Sequence, residues 1–429
     1  MQDAAPRLRG LVEQLLGAPL PLRIRAWDGS EAGPPSAPAL VVRNRRALRR
    51  LLWKPGELGL ARAWVSGDLG IEGDLYTALD LLSGLVWERG EDARGLGAAL
   101  RDPEVRAAVR GLVRMGGLPL PPAPPREEMR RHRHLHTRRT DRSAISHHYD
   151  VGNDFYEIVL GPSMVYSCAY WQEGGTLEEA QRDKLELVCR KLALKPGQRL
   201  LDVGCGWGSM AVHAAREHGV RVVGVTLSQE QAAYARKRVA DEGLTDRVEI
   251  RVQDYRDVTD GPYDAISSIG MAEHVGAERY LEYAEVLGRL LVPGGRLLNH
   301  QIGRRPQRDE SSYAVDAFID AYVFPDGELA PVGTTVAQLE RAGFEVRDVE
   351  ALREHYALTL RRWVANLEAG WSRAVRLTGA GRARVWRLYM AASAVAFERN
   401  EIGVNQVLAV KTPGASGASG MPLRARTWN

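Results

Sequence analysis

Between Leu200 and Ser209 the chain reads Leu-Leu-Asp-Val-Gly-Cys-Gly-Trp-Gly-Ser, an apolar strand that runs into glycines at 204, 206 and 208 just where a helix begins. No other stretch constrains the fold as strongly. Glycines at such a junction let the backbone turn tightly and let a ligand approach it, while the free N–H groups of the helix face an anion. Around this junction, strand-like runs at 199–204, 221–226, 248–254, 263–270 and 295–302 alternate with amphipathic stretches such as 229–242. That alternation implies a parallel sheet covered by helices on both faces. Runs at 344–349 and 406–410 are expected as antiparallel edge strands, with a mostly helical segment, 354–400, inserted before the last one. The expected fold class is therefore α/β: a doubly wound seven-stranded sheet with a helical insertion.

Upstream the pattern differs. Residues 22–27 alternate like a strand, Asp28-Gly29 marks a turn, 39–43 reads as a returning strand and 46–53 as a helix. This predicts a small α+β N-terminal domain over 1–115, without a catalytic constellation. Gly116 to Pro125 is proline-rich and stiff, and Arg126 to Arg142 is crowded with Arg and His. Together 116–142 read as a linker, with the basic run either simply solvated or holding anionic lipid headgroups. The main domain is expected over 143–411 and a disordered Gly/Ser/Ala-rich tail over 412–429.

Lys and Arg exceed Asp and Glu by only 58 to 54, a weak lean towards anionic partners. Three cysteines, at 168, 189 and 205, form an odd set without paired spacing, which argues against a disulfide framework or a zinc site and for a reducing cytoplasm. No metal is expected. No apolar run approaches the ~18 residues that span a bilayer, and 1–20 lacks a signal-peptide core. Any meeting with a membrane is expected at its surface.

The glycine loop is spaced G-x-G-x-G rather than G-x-G-x-x-G, and the second strand ends in Gly224-Val-Thr226 without a carboxylate. Both features argue against a nicotinamide dinucleotide. The Asp202-x-Gly-x-Gly pattern instead resembles a class I S-adenosylmethionine (SAM) methyltransferase, with Asp254 at the end of the third strand placed to accept from the adenine amino group.

Seven segments then occur in order: 146–156 (Ser-His-His-Tyr-Asp-Val-Gly-Asn-Asp-Phe-Tyr), 164–171, 177–181, 204–208, 224–228, 253–257 and 270–276 (Gly-Met-Ala-Glu-His-Val-Gly). Together they resemble the cyclopropane-fatty-acyl-phospholipid synthase family across 143–411. The resemblance implies methyl transfer from SAM to the cis double bond of an unsaturated phospholipid acyl chain. A carbocation follows, and a bound bicarbonate ion deprotonates it. An alkene is a weak nucleophile, so positioning and exclusion of water must carry much of the catalysis. The implied bicarbonate holders are Cys168 and Ile302 through their backbone, with Glu273, His300 and Tyr356. The implied SAM contacts, besides Asp202, are Tyr166 and Ser167 at the methionine end, Gly204 and Gly206 at the loop, Thr226 and Gln231 at the ribose, and Asp254 with Tyr255 at adenine. Ala272 departs from the family, many members of which carry a bulkier residue there.

The same residues suit two products: ring closure gives a cyclopropane, and proton loss from a neighbouring carbon gives a 10-methylene chain. Segments 27–34 and 59–69 are similar to those of actinobacterial relatives, some of which make the methylene product, precursor of 10-methyl lipids through a downstream reductase. Cyclopropanation is the default expectation. A non-catalytic lipid carrier and a nucleic-acid methyltransferase are the competing classes. Glu273, His300 and Tyr356 speak against the first, and the lack of a Pro-Pro dipeptide after the fourth strand speaks against the second, so no nucleic-acid partner is expected. The expected setting is the cytoplasm, peripheral to the inner face of the cell membrane, with homo-oligomerisation open.

Overall fold

The computed structural model describes residues 3–87, 103–116, 120–129, 151–325, 327–413, 419–424 and 426. The basic run beyond Met129, and Ser146 to Asp150 of the first motif, lie outside the described residues. The chain forms two compact units. One comprises 1–130 with 316–323 and 378–395; the other comprises 131–315, 324–377 and 396–429. Two pieces of the segment read from sequence as the main domain thus cluster with the N-terminal unit.

The first unit has a four-stranded sheet ordered β2-β1-β3-β4, from β1 (Arg23–Arg25), β2 (Glu31–Ala32), β3 (Ala39–Val42) and β4 (Leu69–Glu72). The helices Ala4–Leu16, Arg46–Trp53 and Pro103–Gly116 enclose its apolar cluster, which includes Leu8, Leu22, Ile24, Leu48 and Leu112. Asp68 is buried but accepts from Arg50 at 2.9 Å, so its charge is paired. The out-of-sequence pieces are tied in by polar bonds: Tyr322 donates to Glu128 at 2.9 Å, and the Trp64 indole donates to the Arg384 carbonyl at 3.0 Å.

The second unit carries the seven-stranded sheet, ordered β10-β11-β9-β8-β5-β6-β7. Its strands are β5 (Arg199–Val203), β6 (Arg221–Thr226), β7 (Val248–Val252), β8 (Tyr263–Ile269), β9 (Leu291–Arg304), β10 (Phe344–Ala351) and β11 (Ile402–Lys411). β5 to β9 pair in parallel; β11 is antiparallel to both neighbours. Consecutive strand residues feed opposite apolar clusters: Leu200, Val222 and Leu298 on one face, Leu201, Val223 and Leu297 on the other. That two-sided burial is why these strands read as continuous apolar runs.

The last strand was expected at an edge, and this is corrected: β11 lies between β9 and β10. Val407 to Val410 are all buried, and an apolar run hidden on both faces belongs inside a sheet. In the tail, expected to be disordered, Met421 packs against the first cluster and Arg426 donates to Asp348 at 2.8 Å. The insertion is helical as expected, as Arg353–Ala369, Trp371–Thr378 and Ala380–Glu398. Among the described residues, no helix is long and apolar enough to cross a membrane.

Candidate active site

The chain reverses its direction of winding at β5: β6 and β7 lie on one side, β8 and β9 on the other. Ligands of open α/β sheets bind outside the carboxyl ends of the strands at such a point. Gly204 to Gly208 sit there, after β5 and before the Ser209–His218 helix. Gly206 has φ 53° and Gly208 φ 80°, backbone that side-chained residues rarely adopt. The two differ in surroundings. A Cβ on Gly208 would lie 3.0 Å from that of Ala235, whereas one on Gly206 would meet nothing within 4 Å, on the side left open for a ligand.

All nine residues expected to contact SAM line one cavity at this point: Tyr166, Ser167, Asp202, Gly204, Gly206, Thr226, Gln231, Asp254 and Tyr255. Thr226 donates to the Gln231 side-chain carbonyl at 2.9 Å, and Ser228 caps the next helix by accepting from the Gln231 amide at 3.2 Å. These bonds fix two neutral polar groups at the end of β6. Asp202 is buried. It accepts from Ser267 at 2.7 Å through one oxygen, and the other has no partner among the described residues. Burial raises its carboxyl to about 6 against the pull of Ser267 and Lys184.

Two further cavity residues escaped the sequence reading. Lys184, fully buried, lines the wall and donates to the Ser167 hydroxyl at 2.9 Å. Burial lowers its ammonium to about 8, and Cys168 and Asp202 oppose the shift. The available signal was register: Lys184 falls in step with Leu177, Ala180, Leu187 and Val188 on the buried face of the Leu177–Leu192 helix. Arg256 is the second. Its guanidinium grips both oxygens of Asp254, at 2.8 and 2.6 Å, and so fixes the carboxylate expected at adenine.

The five residues expected at the reacting centre are off this wall but linked to one another. Glu273, in the short turn Ala272–His274 after β8, accepts the Ile302 amide hydrogen at 2.7 Å through Oε1. Ile302 pairs with Val404 of β11, and the Val404 carbonyl accepts from Leu352 at 2.8 Å. The Leu352 carbonyl in turn accepts from the Tyr356 amide at 3.1 Å and from the Cys168 thiol at 3.6 Å. His300 is two residues from Ile302 on β9 and so shares its face. Met271 and His274, flanking Glu273, line the cofactor cavity.

The electrostatics of this group are those of a dry pocket. Burial raises Glu273 to about 7, against the Ile302 hydrogen bond. Burial also pushes His300 well below its usual value, reinforced by Lys184 and Lys191. Cys168 is raised well above a usual thiol by burial, which disfavours thiolate chemistry. The Gln406 side-chain amide meets His300 Nδ1 at 3.2 Å and holds the ring in place. His300 Nε2 and Glu273 Oε2 are both buried without a partner among the described residues. Two buried polar atoms are thus left for a small polar guest, which fits an ion that carries both oxygens and a hydroxyl.

Aromatic rings bridge the two regions. Tyr166, on the cavity wall, lies 5.3 Å from Trp363, which meets Tyr356 edge-on at 5.9 Å. Trp363, fully buried and seven residues after Tyr356 on one helix, is another residue that the sequence reading missed.

The model of the family described as mycolic acid cyclopropane synthetase matches residues 136–407. A probable fatty acid methyltransferase of Mycobacterium tuberculosis is 47% identical over 415 residues, 94% of each chain. The cyclopropane-fatty-acyl-phospholipid synthase of Escherichia coli is 41% identical over 261 residues, 61% of this chain and 66% of that one. Among solved structures, a mycolic acid cyclopropane synthase complexed with SAH and CTAB is 34% identical and superposes with a TM-score of 0.59 over 62% of this chain and 97% of that one.

Proposed function

The chain belongs to the mycolic acid cyclopropane synthetase family, and from that premise we propose that it methylates the cis double bond of an unsaturated phospholipid acyl chain and closes a cyclopropane. The observation that carries this reading is the pair of unpartnered buried atoms, Glu273 Oε2 and His300 Nε2, next to the cavity that the SAM residues line.

SAM supplies an electrophilic methyl group on its sulfonium. The glycine turn would admit it to the backbone, Thr226 and Gln231, bonded to each other, would meet the ribose, and Asp254, held by Arg256, would meet the adenine amine. Trp363 and Tyr166 present ring faces between the two regions, which stabilise positive charge developing on the acyl chain without trapping it covalently. Cys168 stays a thiol and so does not compete for the cation. Glu273 Oε2, His300 Nε2 and the Tyr356 hydroxyl are the groups that would hold bicarbonate, with Ile302 acting through its bond to Glu273. Bicarbonate at that position would supply the weak base that removes the surplus proton. The lipid is met at the membrane surface, from the cytoplasmic side.

The methylene product is the second reading: two relatives that match 94% of this chain are named probable fatty acid methyltransferases, a name that does not specify ring closure. A methylene lipid would then require a reductase. Incubation with SAM and a mono-unsaturated phospholipid, followed by proton NMR of the released acyl chains, separates the outcomes. Ring protons far upfield are expected; vinylidene protons would replace the first reading by the second. SAM consumption that is faster with nucleic acid than with liposomes would remove both.

A further inference from the structure

We propose that the second unit has a zinc-binding site, formed by Glu186, Cys189, His213 and His218, none of which lines the cofactor cavity. Glu186 and Cys189 lie one turn apart on the Leu177–Leu192 helix; His213 and His218 lie on the Ser209–His218 helix, His218 as its last residue. Glu186 Oε2 is 3.3 Å from His213 Nε2 and 2.9 Å from His218 Nε2. The Cys189 sulfur and a ring nitrogen from each histidine all lie within 4.8 Å of one another. The other Glu186 oxygen accepts from Arg190 at 2.9 Å, which turns Oε2 towards the histidines.

A carboxylate between two imidazoles could stand alone as a hydrogen-bonded cluster. The sulfur at its apex is what such a cluster does not need. Tetrahedral zinc with bonds of about 2.0–2.1 Å to N and O and about 2.3 Å to S has N···O edges of about 3.3 Å and S···N edges of about 3.6 Å. The Glu186–His213 distance already matches, the Glu186–His218 distance of 2.9 Å would open by about 0.4 Å, and the sulfur would have to close on the imidazoles from within 4.8 Å. One thiolate with two imidazoles and a carboxylate suits zinc and excludes magnesium and calcium, which take oxygen. Four protein ligands close the shell, as in structural sites. Binding displaces the Cys189 proton to solvent and involves no redox step. The metal would tie the far ends of two helices whose near ends serve the cofactor cavity through Lys184 and Ser209. Cysteine spacing did not signal this site, because the ligands come as a Glu/Cys pair and a His/His pair on separate helices.

The test uses the full chain stripped with chelator and titrated with Co²⁺, then Zn²⁺. A thiolate-to-cobalt charge-transfer band is expected, abolished by Zn²⁺ and absent from Cys189→Ala. His132, His134 and His136 offer imidazoles but no thiol, and the loss of the band in Cys189→Ala separates the proposed site from Cys168 and Cys205. His218→Gln and Glu186→Gln change partly exposed side chains and guard against failure of the buried variant to fold. Each is expected to weaken Zn²⁺ binding about 100-fold and to remove the Zn²⁺-induced rise in Tm. No band in the wild type, or a band undiminished in His218→Gln and Cys189→Ala, overturns the proposal.

Discussion

Glu273 accepts the Ile302 amide hydrogen at 2.7 Å with one oxygen and keeps the other buried without a partner among the described residues. A short turn after β8 is thereby locked to β9, with half of a carboxylate left over. The leftover half is the part that chemistry can use.

Glu273→Gln keeps the shape of the side chain and replaces the unpartnered oxygen by an amide, and His300→Ala removes the other unpartnered buried group. Turnover is expected to fall at least about 100-fold in each, as when a positioned acid–base group is lost. SAM affinity, by calorimetry, should stay near wild type because neither residue lines the cofactor cavity. Full activity in both variants would remove the assigned centre.

The same residue gives a stability prediction with a definite sign. Burial holds the folded Glu273 carboxyl at about 7, above its ordinary value of 4.5. Its neutral form therefore supports the fold at low pH, and that support is lost as pH rises through about 7. Glu273→Gln should unfold like wild type at about pH 4, below the unfolded carboxyl's value, and be more stable at pH 8, by up to about 3 kcal/mol. Equal Tm values for the two proteins at pH 8 would show that the carboxyl is not held in this way.

Gly206 and Gly208 should respond differently to alanine. At Gly208 the left-handed backbone and the 3.0 Å approach to Ala235 act together, and a loss of about 2 kcal/mol is expected in chemical denaturation. At Gly206 only the backbone cost of about 1 kcal/mol applies. There the new methyl group stands in the open space facing the cavity, so SAM binding should suffer more than stability. Reversal of that order would place the ligand elsewhere.

Lys184→Met removes a buried cation from Ser167 and Asp202. SAM should bind about tenfold or more weakly, the size of a lost charge-assisted hydrogen bond. With its ammonium held at about 8, wild-type affinity should also fall as pH rises through that value, and the variant should lack this dependence. Matching pH profiles in titration calorimetry would take Lys184 out of the site.

What the sequence by itself determined is what lies within a few residues along the chain. Two-sided burial writes itself as apolar runs, so the strands around 199–204, 221–226 and 263–270 were legible, as were the helix at 46–53 and the turn at 204–208. The nine residues expected to contact SAM, all of which line one cavity, were legible because all but Gln231 sit in a short motif. What only the tertiary structure decided depends on neighbours far apart in the sequence. β11 became an interior strand because β10 pairs along its outer side. Lys184 and Trp363 became site residues because other elements bury them. His300 acquired a side-chain partner in Gln406, over a hundred residues away. Cys189, His213 and His218, with Glu186 bonded to both histidines, came together only through the packing of two helices. Local pattern sets which face of an element is apolar, but the partner that meets a polar atom on that face is fixed only when the sheet and helices close around it.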